Sequence, residues 1–255
     1  MAIIDRLLDR LGRWIGARLE SPVSGYEPYT PSDPETLCRV LRPADVLLIE
    51  GNEKVATAIK YLTQSTWSHA ALYIGTALDD SGCKGEQRSL VEANIGTGVS
   101  AVPLSKYGLF NTRICRPIGL TEAERDQVVR FAVGRIGHKY DTRNIIDLAR
   151  YLLPTPPVPV RWRRRMIALG SGEPTRAICS TLIAQAFGTV RYPILPRVET
   201  LEIRRRGMSQ YSRHEILHIR HYSLYAPRDF DISPYFKIVK PTVEAGFDYK
   251  RLTWS

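Results

Sequence analysis

Three residues far apart in the chain, Cys179, His69 and Glu92, are of the types that together catalyse acyl transfer. Cys179 stands in "TRAICSTLIAQAFG", where Leu182, Ile183, Ala186 and Phe187 recur on one helical face and Gly188 stops the pattern. Pro174 and Thr175 lie just upstream, so the spacing predicts Cys179 in or near the first turn of that helix. Free backbone N–H groups and the helix dipole favour a thiolate there. By itself such a cysteine is also a small core residue. It becomes a nucleophile only beside a base.

His69 can be that base, because a cysteine nucleophile needs an imidazole in hydrogen-bond reach, oriented by a third polar group. It stands at the mouth of "AALYIG", a run apolar on both faces that ends in a glycine and reads as a buried strand. "SLVEANI" (89–95) is a second strand pattern, and "DDSG" (79–82) has the Asp-first, Gly-last form of a type I turn. If that turn joins the two strands, His69 falls directly opposite Glu92 on the same face, with Cβ atoms about 5 Å apart. A slip of one residue would break the pairing, and the plainer alternative is an exposed His–Glu surface pair of little consequence.

The elements around these residues follow from pattern. "RPADVLLIEG" is a turn and a short apolar strand, "KVATAIKYLTQS" a helix, and "ICRPIG" a further strand. "TEAERDQVVRFAVGRIG" is a helix with Thr121 as N-cap and Glu124 three residues on, the spacing of a capping box. "HKYDTRNIIDLARYLLP" reads as another helix ended by Pro154, and "APRDFDISPYFKIVKP" as loop. Strands clustered first with helices around them imply an α+β fold with an antiparallel sheet packed against helices. Residues 1–20 read as an amphipathic helix with Arg6, Arg10 and Arg13 opposite its apolar face, 21–35 as a proline-rich linker, and 36–255 as the catalytic domain.

"WSHAALYIG", "LVEAN" and "ICSTLIAQAF", in that order, resemble the bacterial circularly permuted papain-like amidases of the NlpC type, relatives of the lecithin:retinol acyltransferase-like enzymes. "PADVLLIEG" resembles the family's opening strand and "APRDFDISPYF" its closing segment. In this branch the histidine strand precedes the cysteine helix. The resemblance spans roughly residues 40–240 and implies a permuted papain-like fold. It makes Cys179 the nucleophile, His69 the general base and Glu92 the third polar residue. Tyr140 in "GRIGHKYD" matches a family tyrosine that holds substrate or oxyanion, beside the backbone N–H of Cys179. No cofactor is implied. The 38 residues between Tyr140 and Cys179 exceed the family pattern; this basic insertion (about 141–175) bears on substrate choice.

Two other signals compete. "HEILH" (214–218) matches the zincin pattern, with His214 and His218 as ligands, Glu215 as base and His221 or Glu244 completing a site. "LHIRHYSLY" alternates like a strand, however, and a strand would hold the two histidines too far apart for one zinc. The second signal is charge: a net +10, with Arg161, Arg163, Arg164 and Arg165 around Trp162, and Arg204 to Arg206. Such a balance favours anionic partners, and the absence of any recognition-helix, zinc-finger or RNP pattern points to an anionic membrane surface before nucleic acid. The expected substrate is a small acyl-amide, a lipid or a peptide-like molecule, and a non-catalytic binding module is the competing class. Four cysteines without a Cys-x-x-Cys pair imply free thiols in a reducing compartment. With no spanning run and no secretory signal, the expected place is the cytoplasm or a cytoplasmic membrane face.

Overall fold

In the computed structural model the described residues are 27–29, 33–78, 87–94, 97–138, 178–203, 212–244, 246–248, 250 and 253. The N-terminal amphipathic segment, most of the proline-rich linker, the "DDSG" turn, Tyr140, the basic insertion and Arg204 to Arg206 lie outside them.

Six strands form one antiparallel sheet: β1 (Val46–Ile49), β2 (His69–Tyr73), β3 (Arg88–Asn94), β4 (Gly98–Pro103), β5 (Thr112–Pro117) and β8 (Phe236–Val239). Their order across the sheet is β4-β3-β2-β1-β5-β8, and β6 (Arg197–Ile203) with β7 (Ser212–His218) makes a separate hairpin-like pair. β1 is buried at all four positions, which is why its sequence is apolar throughout rather than alternating. The fold is α+β, as expected, and the strand that opens on His69 precedes the helix that carries Cys179.

Alternation along the strands divides the core in two. Val46, Leu48, Ala70, Leu72, Val91 and Ala93 face one side, packed with residues of α3 (Glu122–Val133) and α4 (Ile178–Gly188). Leu47, Ile49, Ala71, Tyr73 and Leu90 face the other, against α1 (Pro34–Val40) and Leu104 and Tyr107 of a 3₁₀ turn (Leu104–Tyr107). Helix α2 (Lys54–Thr63) connects β1 to β2. The expected capping box is present in α3: Glu124 N–H donates to Thr121 Oγ1 (3.3 Å) and Thr121 N–H to Glu124 Oε2 (2.8 Å).

Several expectations are corrected. The segment read as loop contains a short helix, α5 (Pro227–Asp231), and β8, which pairs with β5. β4 was not expected at all; its glycine, serine and alanine give little apolar alternation. β2 and β3 pair with Leu72 opposite Val91 and Tyr73 opposite Leu90. Continued to the end of β2, that register sets Asn94, not Glu92, across from His69. The backbone through "HEILH" is strand β7, so His214 and His218 stand roughly 13 Å apart at the ordinary strand rise, beyond a shared zinc. His221 instead caps a 3₁₀ turn, its Nδ1 2.8 Å from Ser223 Oγ, and Glu244 lies 3.7 Å from Lys237. Cys38 is disulfide-bonded, so the expectation of four free thiols fails; Cys115 and Cys179 are free and buried. Among the described residues no helix is long and apolar enough to cross a membrane.

Candidate active site

β2 and β3 are paired at Leu72 and Tyr73 but not at His69, Ala70 or Ala71. The ladder therefore opens toward the start of β2, and helix α4 packs against both strands. Cys179 lies on α4 and is buried. Its thiol meets two groups of β2: the His69 ring hydrogen-bonds to it, and the Ala70 backbone N–H points to the sulfur. Ser180 Oγ is 4.0 Å from Sγ, at the limit of a sulfur contact.

The start of β2 is held from three directions. Ser68 Oγ accepts the Gly51 N–H at 2.9 Å, tying the end of β1 to the residue before His69. A Cβ at Gly51 would stand 2.9 Å from Ser68 Oγ and 2.6 Å from Glu53 Oε2, so alanine there would force those side chains to move. Trp67 donates its indole N–H to Asp231 Oδ2 at 3.0 Å, and Arg113, which donates to Asp231 Oδ1 at 2.7 Å, lies over the Trp67 ring at 4.9 Å. Ile49 of β1 is the ladder partner of His69 itself.

His69 Nε2 lies 3.1 Å from Glu92 Oε2, which leaves Nδ1 as the nitrogen for Cys179. The contact survives the altered register because the shift is two residues. Side chains alternate with period two, so Glu92 stays on the His69 face as the diagonal neighbour, within reach of a glutamate and an imidazole. The Glu92 side chain is fully buried, and both oxygens are saturated. Oε2 also accepts the Tyr107 hydroxyl; Oε1 accepts Lys106 Nζ and, at 2.6 Å, Asn94 Nδ2.

These partners were not legible as site residues. Pro103 ends β4 and is the N-cap of the 3₁₀ turn, whose Leu104 and Tyr107, three apart, go into the core. Gly108 then lets the turn lie against Pro34, where a Cβ would meet Pro34 Cγ at 3.1 Å. The apolar pair three apart after a strand-ending proline was the available signal in "VPLSKYG".

Burial works against every charge here, and the neighbours overcome it. It would push the Cys179 thiol up, but the His69 imidazolium beside it, with the Ala70 N–H, holds the thiol below its ordinary range. Burial likewise opposes the imidazolium, yet the Cys179 thiolate and Glu92 raise His69 to about 10. Glu92 is held well below the carboxylate range, against burial, by His69 and Lys106. Tyr107 is pushed far above its usual value by burial and by Glu92, so its hydroxyl stays a donor. The directions agree on a thiolate–imidazolium pair backed by a carboxylate. Burial, with the Asp231 carboxylate, pushes the Cys115 thiol up instead.

Of the four residues singled out by sequence, the structure brings Cys179, His69 and Glu92 together, and Tyr140 lies outside the described residues. Among the described residues no group of three or more His, Cys, Asp or Glu side chains could hold a metal ion.

A helix-borne thiol facing a histidine at the mouth of an earlier antiparallel strand fits the layout of a papain-like cysteine hydrolase with permuted order. Comparison with known proteins agrees: residues 40–151 match the family model described as permuted papain-like amidase enzyme, YaeF/YiiX, C92 family. The family whose model matches that stretch is the one the motifs resemble, and its description is that of amidases. The match contains His69, Glu92, Lys106 and Tyr107 and ends before Cys179. Among solved structures the chain is similar to the crystal structure of metalloprotein yiiX from Escherichia coli O157:H7, DUF1105, at 12% identity and a TM-score of 0.44. That similarity covers 78% of this chain and 96% of that one. No curated protein matches the sequence.

Proposed function

We infer that the protein is a cysteine amidase or esterase working through a thioester at Cys179. The observation that carries this reading is the series Cys179, His69, Glu92, in which the thiol is lowered and the imidazole raised by mutual contact. The Cys179 thiolate attacks the carbonyl carbon of the substrate and forms the C–S bond. The His69 Nδ1 proton goes to the departing amine or alkoxide as its bond to carbon breaks. Neutral His69 next takes a proton from water, whose oxygen attacks the thioester; the acid leaves and the thiol proton returns to the pair. Glu92 keeps the proton on Nε2 throughout. The Cys179 backbone N–H and Tyr140 are the candidates to receive the oxyanion.

An amine or alcohol in place of water makes the same chemistry an acyltransferase. The net charge of +10 and the amphipathic and arginine-rich segments favour an acyl-amide or lipid at an anionic membrane surface as substrate.

Iodoacetamide labelling mapped by mass spectrometry tests the nucleophile. Cys179 should react near pH 7 at least roughly tenfold faster than Cys115, and His69→Ala should abolish the difference. Equal labelling of both cysteines, indifferent to His69, would mean a binding module. Co-sedimentation with anionic phospholipid vesicles should fall when residues 1–20 are deleted and Arg161 to Arg165 neutralised; unchanged binding removes those segments as the anchor.

A further inference from the structure

Glu92 has more partners than a residue that only orients an imidazole requires. Its Oε2 accepts both His69 Nε2–H and the Tyr107 hydroxyl, and its Oε1 accepts Asn94 Nδ2 and Lys106 Nζ. Two of these donors come from consecutive residues of the Leu104–Tyr107 turn, one to each oxygen. The turn is built for this. Tyr107 is buried, its ring centroid 6.1 Å from that of His69 and 5.8 Å from that of Phe110, which it meets edge-on. Lys106 is anchored by the Glu92 oxygen and lies 5.2 Å from the centroid of the Tyr107 ring, its side chain still partly open to solvent.

The charges in this line alternate: thiolate, imidazolium, carboxylate, ammonium. Without the last, the cluster would carry net negative charge in a buried place. A bare Glu92 carboxylate would also bind the His69 proton too tightly for its transfer to a leaving group. We propose that Lys106 and Tyr107 are positioning residues of the reaction: together they fix both oxygens of Glu92, and Lys106 offsets its charge so that His69 remains a usable acid. The proposal rests on the cysteine-hydrolase reading above and adds to it a charge-setting turn on the far side of the carboxylate.

The sign of the effect follows from one rule, that removing a cation raises the pKa of every acid near it. Lys106→Met should move the acid limb of Cys179 reactivity to higher pH, because both Cys179 and Glu92 then hold protons more strongly. Two probes separate the outcomes: iodoacetamide labelling of Cys179 and turnover of p-nitrophenyl acetate, each followed from pH 4 to pH 10. The expected result is an upward shift of the acid limb by roughly half to one pH unit in Lys106→Met, discounted for the partial exposure of the lysine. Lys106→Arg, which keeps the charge, should restore the wild-type profile. Tyr107→Phe, which keeps the ring, should shift the limb in the same direction by less. A melting temperature close to wild type in Lys106→Met together with an unmoved acid limb would overturn the proposal, since a merely structural lysine leaves the profile in place. A shift that Lys106→Arg fails to reverse would overturn it too. Failure of the underlying reading looks different: wild-type Cys179 would then label no faster than Cys115.

Discussion

Replacing Glu92 by Gln probes the atom on which the proton inventory of the site turns. An amide offers one accepting oxygen and one donating NH₂ where the carboxylate offers two acceptors. On the Oε1 side stands Lys106, an ammonium that can only donate, so the glutamine oxygen must face it. The NH₂ then faces Tyr107 and His69, the two partners that can adapt. A phenolic hydroxyl can accept, and an imidazole can accept through an unprotonated Nε2. Packing is preserved, but the His69 proton is driven to Nδ1, the nitrogen that faces Cys179. In that tautomer the ring cannot take the thiol proton, and the ion pair is lost. The equivalent carboxylate-to-amide exchange in a serine protease lowers kcat about 10,000-fold for this reason. A thiol is the stronger acid, so a loss of roughly 1,000- to 10,000-fold in turnover of p-nitrophenyl acetate is expected. The structural effect should be moderate: the contacts with His69 and Lys106 both lose the carboxylate charge, about 2 kcal/mol together, which lowers Tm by about 4–8 °C in a domain of this size. Turnover and Cys179 labelling at pH 7, read beside a thermal melt, check the argument. Glu92→Gln protein that keeps turnover within tenfold of wild type would refute it.

Linkage gives a further expectation. His69, raised to about 10, stabilises the fold fully below its ordinary 6.5 and loses that contribution as pH rises through 10. Cys179, lowered from 9.0, has the opposite sign: its contribution is present above pH 9 and lost as pH falls. The folded ion pair holds as many protons as the unfolded neutral pair between about pH 6.5 and 9, so the two slopes cancel there. In Cys179→Ala the cancellation ends, and the melting temperature relative to wild type should change with pH through that window; parallel curves would count against the ion pair. Arg116→Leu should cost about 3 kcal/mol by chemical denaturation with turnover per folded molecule unchanged. It strands Asp45, a buried carboxylate 2.8 Å from Arg116 whose pKa burial already raises. Gly51→Ala should reduce turnover roughly tenfold at small loss of stability, because its Cβ displaces Ser68 and with it the mouth of β2; turnover equal to wild type would separate Ser68 from the placement of His69.

How much of this could be read from sequence depended on how local each signal was. The α3 capping box, the apolar run of β1 and the helix that carries Cys179 are written in neighbouring residues, and all three are present in the structure. β4 and β8 were missed because each is defined by its partner strand. "GVSAVP" becomes a strand by pairing with β3, and the four-residue "FKIV" by pairing with β5, neither with enough alternation to stand out alone. "HEILH" shows the opposite error: a helix motif in letters whose backbone is a strand, because the register with β6 outweighs a five-residue match.

The His69–Glu92 contact was expected from a register that does not occur, yet the contact is there. What the argument required was parity, since any even shift returns Glu92 to the His69 face, and only the length of the glutamate limits how far it may slide. In the actual register Glu92 is diagonal to His69, and the separate pairing of β3 with β4 sets it across from Ser100, close to the Leu104–Tyr107 turn that follows β4. A carboxylate directly opposite His69 would stand two residues further along β3, away from that turn; from position 92 it reaches His69, Lys106 and Tyr107 alike. These two residues carried no signal in sequence because their role is fixed by the pairing between β3 and β4, the strand whose own sequence gave the weakest sign of being one.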